Sequence, residues 1–350
     1  MEKRILGRTG LSVTVIGFGG IPIIDKPNEE AIAVVQRALD VGINFIDTAR
    51  AYERKNGPFL SSEEKIGEIM RQRRGEVVLA TKTHTRSREG AAADIEKSLA
   101  NLKTGYVDLL QLHAVDSLEA LNQVLSPEGA LAAVQAAQKA GQVRFIGITG
   151  HRPDVLLEAL KTGLFDTVMV PVNIVDRFIY NPEASLLPYA QEHNIGVIVM
   201  KPLAGGALKE NVPEALRYSM AQKVTTVIPG MGSLREVEED VAIGESFQPL
   251  TQEEENLLAK QARALGSDFC RQCGYCKPCS VGIDIPFVFR LEGYFTRYGQ
   301  KEWAKAQYAE VDIKASECIE CGNCEPRCPY SLPIINKLKT AHARLMGLAV

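Results

Sequence analysis

The run VDLLQLH at residues 107–113 is apolar at most successive positions, which is typical of a strand buried on both faces. Similar runs recur on both sides of it, and the segments between them carry apolar residues three and four positions apart, as helices do. The other runs are VTVIGFG (13–19), INFIDT (43–48), VVLAT (77–81), FIGIT (145–149), VMVPV (168–172), GVIVM (196–200) and TTVIP (225–229). This alternation within about 250 residues predicts an α/β fold with a closed (β/α)8 TIM barrel.

A doubly wound dinucleotide-binding fold is the competing interpretation. Gly17 and Gly19 would begin its glycine fingerprint, and Asp47 would bind the ribose. The third glycine position holds Pro22, however, and no helix begins there. The sequence therefore favours the barrel.

Composition excludes several classes of partner. The 350 residues carry a net charge of -3, with 40 basic and 43 acidic residues interspersed, so no basic face for nucleic acid is expected. No apolar run is long enough for a membrane span, and the start MEKRILGRTGLSV lacks the long apolar stretch of a secretory signal. We expect a soluble cytoplasmic protein with no nucleic-acid or membrane partner.

The composition changes near residue 265. All eight cysteines follow that point, in CRQCGYCKPC (270–279) and CIECGNCEPRCP (318–329). An aromatic-rich helical stretch at 285–306 lies between the two runs, and Pro333 begins a final helix. We predict a barrel domain at 1–265 and a small, mainly α-helical domain at 266–350.

Ionisable residues cluster at the predicted carboxyl ends of the strands, where barrels carry their chemistry. Asp47 ends the second run, Lys82 follows the third, His113 ends the fourth, and Tyr52 lies in the loop after Asp47. A tyrosine with its usual pKa of about 10 is a weak proton donor, and a neighbouring ammonium is expected to lower that pKa. Each residue taken alone is more often structural, but the four together indicate protonation of a carbonyl oxygen.

The segments GINFIDTARAY (42–52), LATK (79–82) and LLQLH (109–113) resemble the signature of the aldo-keto reductase family, over essentially all of residues 1–250. The resemblance implies that hydride from NAD(P)H interconverts a small-molecule carbonyl and an alcohol, in a barrel without a dinucleotide fold. It also implies that Tyr52 is the general acid, that Lys82 and Asp47 tune it, and that His113 orients the substrate.

The nicotinamide site is indicated less sharply. Gly205 and Gly206 form a loop whose backbone can approach a diphosphate, and Gly230 with Ser233 begins a helix whose amino end favours anions, although plain turns explain these glycines too. The resemblance adds residues near the carboxamide, nicotinamide and ribose. The predicted cofactor-binding residues are Gly20, Asp47, Thr149, Gly150, Met200, Lys201, Leu203, Gly205, Gly206, Gly230 and Ser233.

The sequence departs from the family where the 2′-phosphate of NADP is held. Gly230 and Glu236 stand where a lysine and an arginine are common in the family. Because a carboxylate repels a phosphate, we expect NADH to be used at least as well as NADPH.

The second cysteine run fits the ferredoxin spacing C-x2-C-x2-C-x3-C-P. The first run is shorter by one residue before its last cysteine, and Pro278 precedes that cysteine. We predict two [4Fe-4S] clusters, with the crossover inferred from ferredoxins: one on Cys270, Cys273, Cys276 and Cys328, the other on Cys318, Cys321, Cys324 and Cys279. A pair of Zn(Cys)4 sites is the alternative. The tail also resembles that of a subgroup of microbial aldo-keto reductases.

The joint role of the two domains is open at this stage. A nicotinamide delivers two electrons as hydride, a cluster accepts one, and no segment resembles a flavin site. The clusters are then structural, sense redox state, or exchange electrons with a partner protein or a substrate radical. The alternative function is an electron-transfer or redox-sensing protein whose barrel is a docking module that binds the cofactor.

Overall fold

The computed structural model describes residues 1–53, 58–266, 268–296 and 301–349. Two compact units are distinguished: Met1–Ala204 with Leu208–Ala262, and Gly205–Ala207 with Arg263–Val350. Residues 297–300, part of the aromatic-rich stretch predicted to be helical, lie outside the described residues. Within the described part of the chain, no helix is both long and apolar enough to cross a membrane.

The first unit is built on a parallel sheet of eight strands. The strands described are β1 (Lys3–Ile5), β2 (Ser12–Thr14), β3 (Phe18–Gly19), β4 (Phe45–Asp47), β5 (Val78–Thr83), β6 (Val107–Leu112), β7 (Val143–Thr149), β8 (Thr167–Pro171), β9 (Gly196–Met200) and β10 (Thr226–Ile228). Neighbours pair in chain order from β3 to β10. Bridges between Ile16 and Val227 and between Gly19 and Gly230 join the first strand to the last. The predicted barrel is confirmed.

The run at 13–19, predicted as one strand, is divided in the structure. Its beginning belongs to β2, which pairs with β1 as an antiparallel hairpin, and only its end, β3, enters the barrel. Ser12 lies opposite Ile5 and Thr14 opposite Lys3. The hairpin was missed because its strands are only three residues long, too short to display an alternating pattern.

In the first unit helices follow the strands, and further helices lie in the second unit. Those described are α1 (Asn28–Asp40), α2 (Ser62–Arg73), α3 (Arg88–Asn101), α4 (Leu118–Leu125), α5 (Ala130–Lys139), α6 (Pro153–Lys161), α7 (Leu186–Glu192), α8 (Val212–Ala221), α9 (Leu234–Glu245), α10 (Gln252–Leu265), α11 (Ile285–Thr296), α12 (Lys301–Ala309) and α13 (Ile334–Met346). Apolar side chains of α1 to α9 and of the outer strand faces form one large core. This layered arrangement fixes the strand ends, and with them every side chain at the barrel rim.

Helix boundaries follow local signals in the sequence. Ser61 caps α2, because its hydroxyl accepts from the Glu64 amide while the Glu64 carboxylate accepts from the Ser61 amide. Gly42, Gly141 and Gly163 follow helices with φ of 91°, 76° and 73°, the left-handed conformation that ends a helix at little cost in glycine. These helix ends are therefore set by the local residue types.

The second unit is mainly helical, as predicted. Helices α11, α12 and α13 pack on one another, and Val288, Leu291 and Ala341 are fully buried among them. The two cysteine runs lie in irregular segments before α11 and before α13. The helices thus form the scaffold on which the two runs are held.

Candidate active site and candidate metal centres

The carboxyl ends of β4 and β5 bring Asp47, Lys82 and Tyr52 together. Lys82 Nζ lies 2.5 Å from Asp47 Oδ2, 2.8 Å from the Thr48 carbonyl oxygen and 3.4 Å from Tyr52 Oη. Only 2% of Asp47 and 1% of Lys82 is exposed. The arrangement is a buried ion pair whose ammonium also reaches the tyrosine hydroxyl.

Gln111 completes the surroundings of Asp47. Its register position on β6 is opposite Lys82 on β5, and its Nε2 donates to Asp47 Oδ1 over 2.9 Å. Each oxygen of the carboxylate therefore accepts from a different side chain. The sequence signal was available, since a glutamine interrupts the apolar run VDLLQLH at an inward-facing position, but our sequence interpretation did not assign it a role.

His113 lies beside the tyrosine. Its ring centroid is 5.9 Å from that of Tyr52 and 5.5 Å from that of His84, both edge to face. Burial, followed by the charge of Lys82, holds the pKa of His113 well below its usual value. The imidazole is therefore neutral at physiological pH, as required of a group that orients a carbonyl by a hydrogen bond. His84 was not singled out in the sequence.

The pKa of Tyr52 moves opposite to the sequence expectation. We expected the ammonium to lower it, but burial of the hydroxyl raises the pKa of Tyr52 above its usual value, and Lys82 offsets only part of that rise. Burial also acts to lower the pKa of Lys82, yet Asp47 and Tyr52 together outweigh it, so the net direction is upward. Lys82 thus stays cationic and Tyr52 stays protonated at neutral pH.

The predicted cofactor residues are distributed over the same rim and one further segment. Thr149 ends β7, Met200 ends β9, and Gly230 follows β10 beside Gly19. The Thr149 hydroxyl is already used, since it accepts from the Ala114 amide over 3.0 Å. The Lys201 carbonyl accepts from a buried asparagine of the loop after β8 over 3.0 Å. Leu203 lies in the irregular segment after β9.

Several of these glycines have packing reasons of their own. A Cβ at Gly20 would lie 2.8 Å from the Asp47 carbonyl oxygen, and one at Gly150 would lie 2.7 Å from the Val115 carbonyl oxygen. Gly205 and Gly206, with φ of 68° and 90°, group with the second unit rather than with the barrel. A glycine there is required by backbone conformation whether or not a diphosphate binds.

The amino end of α9 carries its own carboxylate. Glu236 Oε2 accepts from the Gly232 amide over 2.7 Å and from the Ser233 hydroxyl over 3.1 Å. The Ser233 hydroxyl in turn accepts from the Glu236 amide over 3.2 Å. A fixed negative charge therefore occupies a position that would otherwise attract an anion.

The eight cysteines form no disulfide bond with one another, and they line two separate cavities of the second unit. The first cavity is lined by Cys270, Cys273, Cys276 and Cys328. The second cavity is lined by Cys279, Cys318, Cys321 and Cys324. Each cavity thus takes three thiols from one run and one from the other, which is the grouping expected from the sequence. Within the described residues there is no cluster of three or more His, Cys, Asp or Glu that could hold a single metal ion.

The thiols differ in exposure, and each cavity contains one buried cysteine, Cys276 in the first and Cys324 in the second. Cys276 is buried, and burial together with the nearby thiols of Cys270, Cys273 and Cys328 raises the pKa of Cys276 to about 12. Cys321 is exposed and lies 3.2 Å from the Ser280 hydroxyl, which is the main cause of its lowered pKa. Four convergent thiols are the donor set that an iron–sulfur cluster requires, so the residues fit that group.

Comparison with known proteins follows this division of the chain. Residues 15–214 match the aldo/keto reductase family, and residues 269–333 match a 4Fe-4S dicluster domain. An L-galactose dehydrogenase of Arabidopsis thaliana is 31% identical over 312 residues, which cover 75% of this chain and 94% of that protein. An uncharacterized oxidoreductase of Bacillus subtilis is 30% identical over 234 residues, 63% of this chain and 71% of the relative.

A solved structure agrees with these sequence matches. The holo form of aldo-keto reductase AKR11C1 from Bacillus halodurans superposes with a TM-score of 0.64 at 28% identity, and covers 75% of this chain and 97% of its own. The family resemblance found in the sequence is confirmed. The chain is an oxidoreductase that belongs to the aldo/keto reductase family and carries a C-terminal 4Fe-4S dicluster domain.

Proposed function

We propose that the protein interconverts a carbonyl and an alcohol by hydride transfer with NAD(P)H, and that Tyr52 is the general acid and base. The observation that carries this proposal is the buried ammonium of Lys82, which bonds to the Asp47 carboxylate at 2.5 Å and also reaches the Tyr52 hydroxyl at 3.4 Å. A salt bridge with a purely structural role would not need the tyrosine.

The protein side of the reduction is proton transfer. When bound, the nicotinamide supplies the hydride that is added to the carbonyl carbon. The Tyr52 hydroxyl gives its proton to the carbonyl oxygen, and the Lys82 ammonium stabilises the tyrosinate that is left. Asp47 keeps Lys82 protonated and in place, since the ion pair raises the pKa of Lys82. The neutral imidazole of His113 hydrogen-bonds to the same oxygen and sets its direction.

The strand ends beside this set would hold the nicotinamide. Thr149, Met200, Lys201 and Leu203 lie on or after β7 and β9, at the edge that carries Lys82. The amino end of α9 would face the adenosine part, and its Glu236 carboxylate disfavours a 2′-phosphate there. We therefore infer that NADH is used at least as well as NADPH.

The second unit would hold two [4Fe-4S] clusters. Cys270, Cys273, Cys276 and Cys328 would bind one, and Cys279, Cys318, Cys321 and Cys324 the other. The support is that each set of four lines one cavity. Iron held by thiolates also overcomes the high pKa of a crowded thiol such as Cys276, because the metal favours the deprotonated form. Such a protein suits a reducing compartment, and we retain the cytoplasm as its location.

The catalytic proposal is tested by Tyr52→Phe, which removes only the hydroxyl. Rates are measured with NADH and NADPH on a panel of aldehydes, ketones and sugars, starting with L-galactose because a relative is named for that substrate. Loss of the acid should lower kcat by roughly 10²- to 10⁴-fold. Tyr106→Phe is the matched control, since Tyr106 directly precedes β6 at the opposite end of the barrel. Unchanged turnover in Tyr52→Phe would favour the docking-module alternative.

The cluster proposal is tested by composition. Protein purified without oxygen is analysed for iron, sulfide and zinc, and its absorption is recorded before and after dithionite. Two cubanes require about eight irons and eight sulfides per chain and a broad band that bleaches on reduction. Colourless protein with two zinc ions would contradict the proposal.

A further inference from the structure

Arg271 is a fully buried cation on the wall of one cysteine cavity. Its exposed fraction is 0%, although arginine is among the residues least often buried completely. It lines the cavity formed by Cys270, Cys273, Cys276 and Cys328 and directly follows the first of them in the chain. No step proposed above uses this residue.

The contacts of Arg271 hold its guanidinium in place. Nη1 donates to the Phe269 carbonyl oxygen over 2.6 Å. The guanidinium carbon lies 3.6 Å from the centroid of the Phe269 ring and 5.0 Å from that of Tyr330. Rotation of the side chain would break all three contacts. The cavity wall therefore carries a positive charge that is both permanent and fixed in position.

The second cavity has no equivalent among its described lining residues. Its arginine, Arg327, is partly exposed and donates to the carbonyl oxygens of Asn323, Lys277 and Pro278. Water therefore screens its charge more strongly than that of Arg271. The two cavities thus differ in the electrostatic environment that they offer to a bound group.

A [4Fe-4S] core with four thiolates is an anion, and its charge becomes more negative by one when it accepts an electron. A fixed cation in a region of low dielectric favours the more negative form. Resting on the clusters of the proposed function, we propose that Arg271 is the built-in counter-charge of the cluster on Cys270, Cys273, Cys276 and Cys328. It acts through the ligand shell and raises the reduction potential of that cluster, whereas the partly exposed Arg327 has a weaker effect on the reduction potential of the other cluster.

The test is a redox titration of the full chain, purified without oxygen and followed by electron paramagnetic resonance. Arg271→Met keeps an unbranched side chain but removes the charge, whereas Arg271→Lys keeps the charge. Arg290→Met is the matched control, because the Arg290 guanidinium also lies over a phenylalanine ring, Phe287, but on the exposed surface. All variants are first analysed for iron and sulfide.

We expect Arg271→Met to lower one of the two reduction potentials by at least about 59 mV, which corresponds to a tenfold change in the equilibrium constant of a one-electron couple. Arg271→Lys should restore most of that shift, and Arg290→Met should leave both potentials unchanged. If Arg271→Met loses one cluster and Arg271→Lys keeps it, the result also supports a role for the charge.

Two results would overturn the inference. One is a pair of unchanged potentials in an Arg271→Met variant with full iron content. The other is loss of the cluster in both Arg271→Met and Arg271→Lys, which would make the residue a packing element only. Wild-type protein without iron would refute the cluster proposal itself, and the initial composition analysis separates that case.

Discussion

The substitution Asp47→Asn removes one charge from a buried pair while keeping the shape of the side chain. The carboxylate has two oxygens in use: Oδ1 accepts from Gln111 and Oδ2 from Lys82. An amide has one oxygen, so one of these two donors must then face an NH2 group. The ammonium of Lys82, only 1% exposed, keeps as acceptors the Thr48 carbonyl and the Tyr52 hydroxyl.

Removing one partner of a buried ion pair costs about 3–5 kcal/mol, because the remaining charge is left without compensation. We expect Asp47→Asn to lower the free energy of unfolding of the barrel by that amount, measured by urea denaturation followed by far-ultraviolet circular dichroism. We also expect kcat to fall at least tenfold, since Lys82 loses the group that keeps it protonated beside Tyr52.

Asp154→Asn is the control for this experiment. Its carboxylate pairs with Arg152 at 2.8 Å on the surface, with the aspartate side chain 62% exposed, and such pairs contribute about 0–1 kcal/mol. If Asp47→Asn were no more destabilising than Asp154→Asn, the buried pair would not be holding this site together. If its kcat matched the wild type, the assignment of Asp47 as the residue that tunes Lys82 would be wrong.

Two further outcomes are expected. Burial holds the pKa of His113 well below its usual value. Below about pH 6.5 the histidine of the unfolded chain therefore takes up a proton, whereas that of the folded chain does not. The stability that neutral His113 contributes is complete above about pH 6.5 and is lost as the pH falls below that value. In His113→Gln the free energy of unfolding should therefore decrease less steeply between pH 6.5 and 5, by up to about 1.4 kcal/mol per pH unit. The measurement is urea denaturation at several pH values. An unchanged slope would refute a neutral buried imidazole. Glu236→Gln keeps a side-chain acceptor for the Gly232 amide and the Ser233 hydroxyl but removes the charge. We therefore expect kcat/KM with NADPH to rise severalfold, while kcat/KM with NADH changes little. A strong preference of the wild type for NADPH would contradict the role given to Glu236.

The barrel could be predicted from the sequence because its strands are buried on both faces. GVIVM at 196–200 coincides with β9 in full, because a short run of successive apolar residues suits a strand that is buried on both faces. The segment at 13–19 was mispredicted for the same reason. Its apolar residues look like a single strand, yet hydrogen bonding divides it between a hairpin and the barrel edge, and pairing partners distant in sequence are not visible in a local pattern.

The candidate site was predictable in its parts but not in its energetics. Strand ends indicated which side chains would meet, and Lys82 indeed lies between Asp47 and Tyr52. The direction of the Tyr52 pKa was not predictable, because it depends on how completely the hydroxyl is removed from water. Sequence spacing reports neighbours, whereas desolvation depends on the whole surrounding fold.

The raised pKa of Tyr52 changes how the site is best understood. A tyrosine with a lowered pKa would be partly ionised near neutrality and would lack the proton that reduction needs. Burial instead keeps the Tyr52 hydroxyl protonated, and in the proposed mechanism the Lys82 cation stabilises the tyrosinate that forms as the proton leaves. In the proposed mechanism, stabilising this tyrosinate lowers the barrier to proton transfer, so Lys82 offsets part of the acid strength that burial removes from Tyr52. In this proposal Tyr52 donates the proton and Lys82 stabilises the tyrosinate that is left, while the buried ion pair with Asp47 keeps Lys82 cationic and in place.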